Sequence, residues 1–165
     1  MLAALKTPGL TRIKAKKSRN HTELLFKNIG IKINVKKKLN YDFIEIKGES
    51  NFKGFEYYVP GDISSCSFFI VLTLLAKNSE LIIKNININN TRTGIIKILN
   101  KMNAKIKFKN KKKYKGESIA DIVIKSKKNL KAINCPKELN SSAIDEFLII
   151  FLIAAKAKGV STFHA

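Results

Sequence analysis

Cysteine is scarce in this chain, with two in 165 residues. Cys66 and Cys135 form no motif, which points to reduced thiols and a cytoplasmic setting. Cys66 lies inside an apolar run and reads as a small buried hydrophobe. Long hydrophobic runs are also missing. "CSFFIVLTLLA" (66–76) and "FLIIFLIAA" (147–155) are the longest, and both fall short of the roughly 20 residues a membrane helix needs. They read instead as buried helices. The N-terminus has no basic region followed by an apolar core and a cleavage site, so no secretory signal is read there. His21 and His164 are isolated, and no His/Cys metal-ligand spacing occurs. Neither G-x-x-x-x-G-K-[ST] nor G-x-G-x-x-G is present, which removes the common nucleotide-cradling loops.

What is abundant is positive charge. The chain holds 32 basic and 12 acidic residues, a net charge of +20. Only Arg12, Arg19 and Arg92 are arginines. An excess of Lys, Asn and Ile is what codon usage in an AT-rich genome produces, and this is the favoured explanation. Two others stand beside it: a nucleic-acid surface, and a field that steers small anionic substrates. The densest cluster, "KNKKKYKG" (109–116), reads as a solvated hairpin loop.

The chain repeats itself. "MLAALKTPGLTRIKA" (1–15), "LTLLAKNSELIIKNI" (72–86) and "LIAAKAKGVSTFHA" (152–165) each pass from an apolar helix end through Lys and a turn into an alternating strand. "HTELLFKNIGIKINV" (21–35) matches "RTGIIKILNKMNAKIKF" (92–108). Lys6 to Lys77 and Thr22 to Thr93 share one offset of 71 residues. The repeated unit reads as βαβαββ, giving an α/β (α+β) fold with buried inner helices. Its middle copy, 55–125, is expected to hold a strand at 55–59, a Pro60-Gly61 turn and a helix at 63–77 capped by Asp62 or Ser64. A strand at 80–85 follows, then a one-sided helix at 92–102 ended by Asn103, then strands at 104–109 and 119–125. The first helix, apolar all round, is expected to be covered on every side. The chain opens inside one unit at Met1 and stops inside another at Ala165, so a piece of a longer protein is expected.

Several stretches carry polar groups that chemistry can use. In "SRNHTELLF" (18–26), an N-cap and a Glu in the first turn explain most residues. Arg19 at a helix start, in so lysine-rich a chain, also suits bidentate binding of phosphate or carboxylate. "VPGDISSCS" (59–67) carries Asp62, Ser64 and Ser65, for which capping suffices. In "NNTRTG" (89–94), Thr91 is read as a cap and Arg92 as a structural partner of nearby carboxylates or carbonyls. "SSAIDEF" (141–147) sets Asp145 and Glu146 against a run apolar enough to be buried, where an ionised carboxylate is costly unless paired or used.

Five blocks, "SRNHTE", "VPGDISS", "NNTRTGI", "GESIADI" and "AIDEF", follow one another in an order that resembles the 5-enolpyruvylshikimate-3-phosphate synthase family. The bacterial class with an R-[DN]-H-T-E block is the nearer match, and the resemblance covers almost the whole chain. It implies an inside-out barrel built from the repeated unit, here incomplete, with two domains. Residues 1–58 would end the first and 59–165 begin the second, with the active site in a cleft between them. It implies transfer of the enolpyruvyl group of phosphoenolpyruvate to the 5-hydroxyl of shikimate 3-phosphate, without metal or organic cofactor, by a protein that is a monomer at full length. Asp145 matches the aspartate that binds the shikimate hydroxyls and assists removal of the 5-hydroxyl proton. Ser18 and Arg19 match the block that contacts the 3-phosphate. Asp62 and Ser64 lie near the cleft, and Glu146 is left structural.

Two positions depart from the family blocks: Asn90 and Leu148 each stand where the pattern has proline. The S-A-Q block would lie just before Met1. The K-E-[ST]-[DE]-R block, with a catalytic lysine and glutamate, would lie just past Ala165. The 165-residue chain alone is therefore expected to lack turnover. Two alternatives remain at this stage: the UDP-N-acetylglucosamine enolpyruvyl transferase, which shares the fold, and a basic RNA-binding repeat module. The second would need exposed aromatics for base stacking, whereas Phe68, Phe69, Phe147 and Phe151 sit in apolar runs.

Overall fold

A computed structural model describes residues 1–164, which divide into two compact units. The first unit holds Met1–Tyr58 with Tyr114–Glu117; the second holds Val59–Lys113 and the chain from Ser118 onward.

The first unit begins with a 3-10 turn, Ala3–Lys6, followed by β1 (Leu10–Lys16), α1 (His21–Asn28), β2 (Ile33–Lys37) and β3 (Tyr41–Lys47). The strands form an antiparallel sheet in the order β1-β3-β2. Alternation sorts the faces. Ile44 and Ile46 of β3 join Ala4, Leu5, Phe26 and Ile31 in a small core, with Ile13, Ile33 and Val35 packed against it. The opposite face is polar: Glu45 accepts from Arg12 at 3.1 Å and Asn34 at 3.3 Å.

The second unit contains α2 (Ile63–Leu75), β4 (Glu80–Asn87), α3 (Gly94–Lys101), all but the facing end residues of β5 (Lys107–Tyr114) and β6 (Glu117–Lys125), a short α4 (Asn140–Ala143) and α5 (Phe147–Lys156). Its sheet runs β4-β6-β5. Shifting the chain by 71 residues carries β1 onto β4 and α1 onto α3, and the strand order is the same in both sheets. The repeat read from the sequence is thus a repeat of structure. Its core is larger: Ile70 and Leu74 of α2, Ile95, Ile98 and Leu99 of α3, Ile122 and Ile124 of β6, and Ile150 and Ile153 of α5 are all fully buried. Asn103 ends α3 with φ +74°, the left-handed cap expected there.

Four expectations need correction. Residues 55–59 form no strand; the opening segment is reduced to a parallel bridge between Gly61 and Ile86. The same parallel pairing recurs in the third copy, Lys131 with Lys158 and Asn134 with Thr162. The lysines of 109–114 lie within β5 instead of a loop. The turn between β5 and β6 is only Lys115-Gly116, both at positive φ (+46° and +87°), the signature of a two-residue hairpin whose twist matches its strands. Lysines are tolerated because β5 is an edge strand, where charge discourages further pairing. The inner helices are covered on one face only: Phe68, Phe69 and Leu72 of α2 and Leu148, Phe151 and Leu152 of α5 remain exposed. Finally, α3 begins at Gly94, and Thr91 does not cap it. Among the described residues no helix is long and apolar enough to cross a membrane.

Candidate active site

Three loops of the second unit deliver polar groups to one place. The first is the start of α2. Asp62 is its N-cap, with its carboxylate accepting from the Ser65 N–H at 2.9 Å and the Ser65 hydroxyl at 3.0 Å. Burial alone would raise the Asp62 pKa. Hydrogen bonds from Ser65 and the Ser64 N–H, with the charge of Arg92, outweigh it and hold the carboxyl below its usual value.

The second loop is "NNTRTG". Asn side chains bonded to the backbone two residues on shape it. Asn87 Oδ1 accepts from the Asn89 N–H at 2.8 Å, and Asn89 Oδ1 accepts from the Thr91 N–H at 3.0 Å and the Thr91 hydroxyl at 2.9 Å. The Arg92 N–H then closes on the Asn89 carbonyl at 2.8 Å. This aims the Arg92 side chain inward, where 15% of it stays exposed. Asn90, which replaces proline, is exposed at the tip.

The third loop joins α4 to α5 through a 3-10 turn, Ile144–Glu146. With three residues per turn, positions three apart share a face: Ala143 and Glu146 are buried, while Ile144 and Asp145 point outward. Asp145 keeps 46% of its side chain exposed, against 3% of residue Glu146. Asp145 stands at the mouth of an apolar helix, and Glu146 is the carboxylate taken inside.

Arg92 is the hub. Its Nη2 donates to Asp62 Oδ1 at 2.8 Å and to Ser64 Oγ at 2.5 Å, and lies 4.0 Å from Asp145 Oδ2. The Ser64 hydroxyl in turn donates to Glu146 Oε1. One guanidinium therefore serves three carboxylates. Burial, the dominant effect, pushes the Glu146 carboxyl above its usual value; the Ser64 hydrogen bond and Arg92 pull the other way, and the Asp145 and Asp62 charges add to the rise. The consequence for stability has a definite sign. The unfolded chain releases this proton near pH 4.5, and the folded chain holds it to higher pH. Stability from this group is complete below that value and is lost as pH rises through the folded pKa. Glu146→Gln is expected to remove this loss, so its urea midpoint should fall less than that of the wild type between about pH 4 and about pH 7. Parallel curves for the two proteins would contradict the assignment.

Of the residues singled out in the sequence, Asp62, Ser64 and Asp145 come together. Ser18 and Arg19 belong to the first unit, exposed just before α1, whose N-cap is Asn20. Beside them His21 Nδ1 meets the buried Glu117 Oε1 at 2.5 Å, a partnership invisible in a sequence where the two lie far apart. Arg92 bonds to a nearby carboxylate, as its reading as a structural partner expected; that Asp62, Ser64 and Asp145 are the groups it meets was not visible in the sequence.

Comparison with known proteins agrees along the whole chain. The family model for EPSP synthase (3-phosphoshikimate 1-carboxyvinyltransferase) matches residues 1–164. The 3-phosphoshikimate 1-carboxyvinyltransferase of Petrotoga mobilis is 43% identical over 164 residues, covering 98% of this chain and 37% of that protein. Its counterpart from Zymomonas mobilis is 39% identical over 163 residues, covering 98% and 36%. A solved structure of EPSP synthase from Acinetobacter baumannii superposes with a TM-score of 0.84 at 37% identity, again covering 98% of this chain and 36% of that one. The chain thus spans little more than a third of the length of these relatives, and it belongs to the EPSP synthase (3-phosphoshikimate 1-carboxyvinyltransferase) family.

Proposed function

We propose that the protein of which this chain forms part transfers the enolpyruvyl group of phosphoenolpyruvate to the 5-hydroxyl of shikimate 3-phosphate, a step in aromatic amino acid biosynthesis. Asp145 takes the proton of the 5-hydroxyl while the hydroxyl oxygen bonds to the central carbon of phosphoenolpyruvate, whose double bond opens as its methylene carbon takes up a proton. The resulting tetrahedral ketal then gives up a proton from that methyl group as inorganic phosphate leaves, which restores the double bond. Asp145 also holds the shikimate hydroxyls, Ser18 and Arg19 grip the 3-phosphate, and Asp62 and Ser64 line the site. Arginine suits the phosphate role because its planar fork makes two parallel bonds. The reaction needs positioning and acid–base groups, and no metal or organic cofactor. Both substrates are small anions, which a chain of net charge +20 attracts. Residues 1–58 and 59–165 are assigned to successive domains of a cytoplasmic enzyme that is monomeric at full length.

The observation that carries this reading is Asp145 itself: a half-exposed carboxylate at the start of an apolar helix, in a chain whose relatives carry the name of this activity. The test is a chimera in which residues 1–164 replace the matched segment of the Petrotoga mobilis relative. Release of phosphate that requires both substrates is the expected result. A chimera that melts cooperatively yet neither turns over nor binds shikimate 3-phosphate would refute the reading.

A further inference from the structure

The Arg92 hub ties together the starts of α2, α3 and α5, and its chemistry is more specific than a staple requires. Two bonds leave a single Nη2, one to a carboxylate and one to a hydroxyl. The hydroxyl passes the connection on to Glu146, the residue next to Asp145. Glu146 is almost wholly buried and bonded through Ser64, and a 3-10 turn holds it next to Asp145. Fixing Glu146 therefore fixes the backbone from which Asp145 projects. Arg92 additionally faces Asp145 directly at 4.0 Å, a distance for an electrostatic bias without a formed hydrogen bond.

We infer that Arg92 is a positioning residue for Asp145, acting through the chain Arg92–Ser64–Glu146 and through its own charge. The inference rests on the proposed role of Asp145 and extends it to a residue that touches no substrate. Lysine does not replace arginine here, because its ammonium ends one bond short of the Nη2 position and its donors are tetrahedral, so the planar N–H pair that meets Asp62 and Ser64 beside Asp145 is lost. Ser64 is the only link by which the guanidinium reaches the buried carboxyl within the bonds described.

Two variants preserve the net charge and break the device at different points: Arg92→Lys at the hub, Ser64→Ala at the link. In the carbon-13-labelled 165-residue chain, the Asp145 carboxyl resonance is expected to shift and broaden in both, while amide signals away from the three loops stay in place. An Asp145 resonance unchanged in both overturns the inference. In the chimera, Arg92→Lys is expected to lower kcat by about tenfold per folded enzyme, within the range that small misplacement of a reacting group produces, with the thermal midpoint still above the assay temperature. Wild-type kcat in that variant also overturns it, since a purely structural arginine would change stability alone. If the unsubstituted chimera is inactive, the proposed function falls, and the carboxyl resonance decides the geometry independently.

Discussion

Asp145→Asn in the chimera is expected to lower kcat by about a hundredfold to ten-thousandfold, the usual contribution of a positioned general base. Asparagine keeps the volume of aspartate and still bonds to hydroxyls, but it accepts no proton at this pH. The loss should therefore fall mainly on kcat, with the KM for shikimate 3-phosphate changing much less. The fold has little reason to object. Asp145 is half exposed and caps no helix through its side chain, and its separation of 4.0 Å from Arg92 is that of a weak pair. Removing one of three carboxylates around one guanidinium also relieves mutual repulsion, so the thermal midpoint should stay the same or rise slightly. A kcat within about threefold of wild type, below the smallest effect expected of a lost general base, would remove Asp145 from the chemistry.

How much of this fold was legible in the sequence follows from what local patterns report. Alternation and helical spacing show which face a segment would bury, and the repeat at 71 residues shows that the same solution is used twice; β1 with β4 and α1 with α3 follow from these alone. Patterns do not show whether a partner is available. "FEYYV" is aromatic and β-branched like a strand, yet no ladder edge among the described residues receives it. Its groups are met by side chains and a turn: the Tyr58 N–H donates to the Tyr114 hydroxyl at 2.9 Å, and the Lys115 ammonium donates to the Glu56 carbonyl. Lysine density misled in the opposite direction, since an edge strand keeps its backbone pairing on one side and solvates its charges on the other. Asp145 was singled out because its motif is contiguous, and Arg92 and Glu146 were read as structural. Which groups these two meet was not legible, because a hub joining residues 62, 64, 92, 145 and 146 exists only after α2, α3 and α5 have packed. Full coverage of α2 and α5 failed for a related reason: hydrophobicity sets a demand for burial, and the described residues meet it on one face of each helix.

That packing leads to a second large effect, at Gly94. A Cβ there would lie 2.5 Å from Ser142 Oγ, 2.6 Å from the Ser142 carbonyl carbon and 2.7 Å from the Ser142 carbonyl oxygen. The hydroxyl can rotate away; the backbone cannot. Alanine raises helix propensity by at most about 1 kcal/mol, and less at the first residue of a helix. Forcing a methyl into a filled space costs about 1–3 kcal/mol, so the clash decides the sign. Gly94→Ala is expected to lower the urea midpoint by an amount equivalent to about 2 kcal/mol, with an unchanged m-value. Gly54→Ala is the control: nothing lies within 4 Å of its Cβ position, and its effect should stay within about 0.5 kcal/mol. The consequence extends to the site. Arg92 lies two residues before Gly94 and Asp145 three residues after Ser142, so separating these two backbones moves the hub and the carboxylate apart. In the chimera, kcat is expected to fall by up to about a hundredfold at temperatures where the protein remains folded. Stability lost with kcat intact would mean that α3 and the 140–143 turn move as a unit, and that the hub tolerates their displacement. Both lost together would mean that the close approach at Gly94 sets the distance between Arg92 and Asp145.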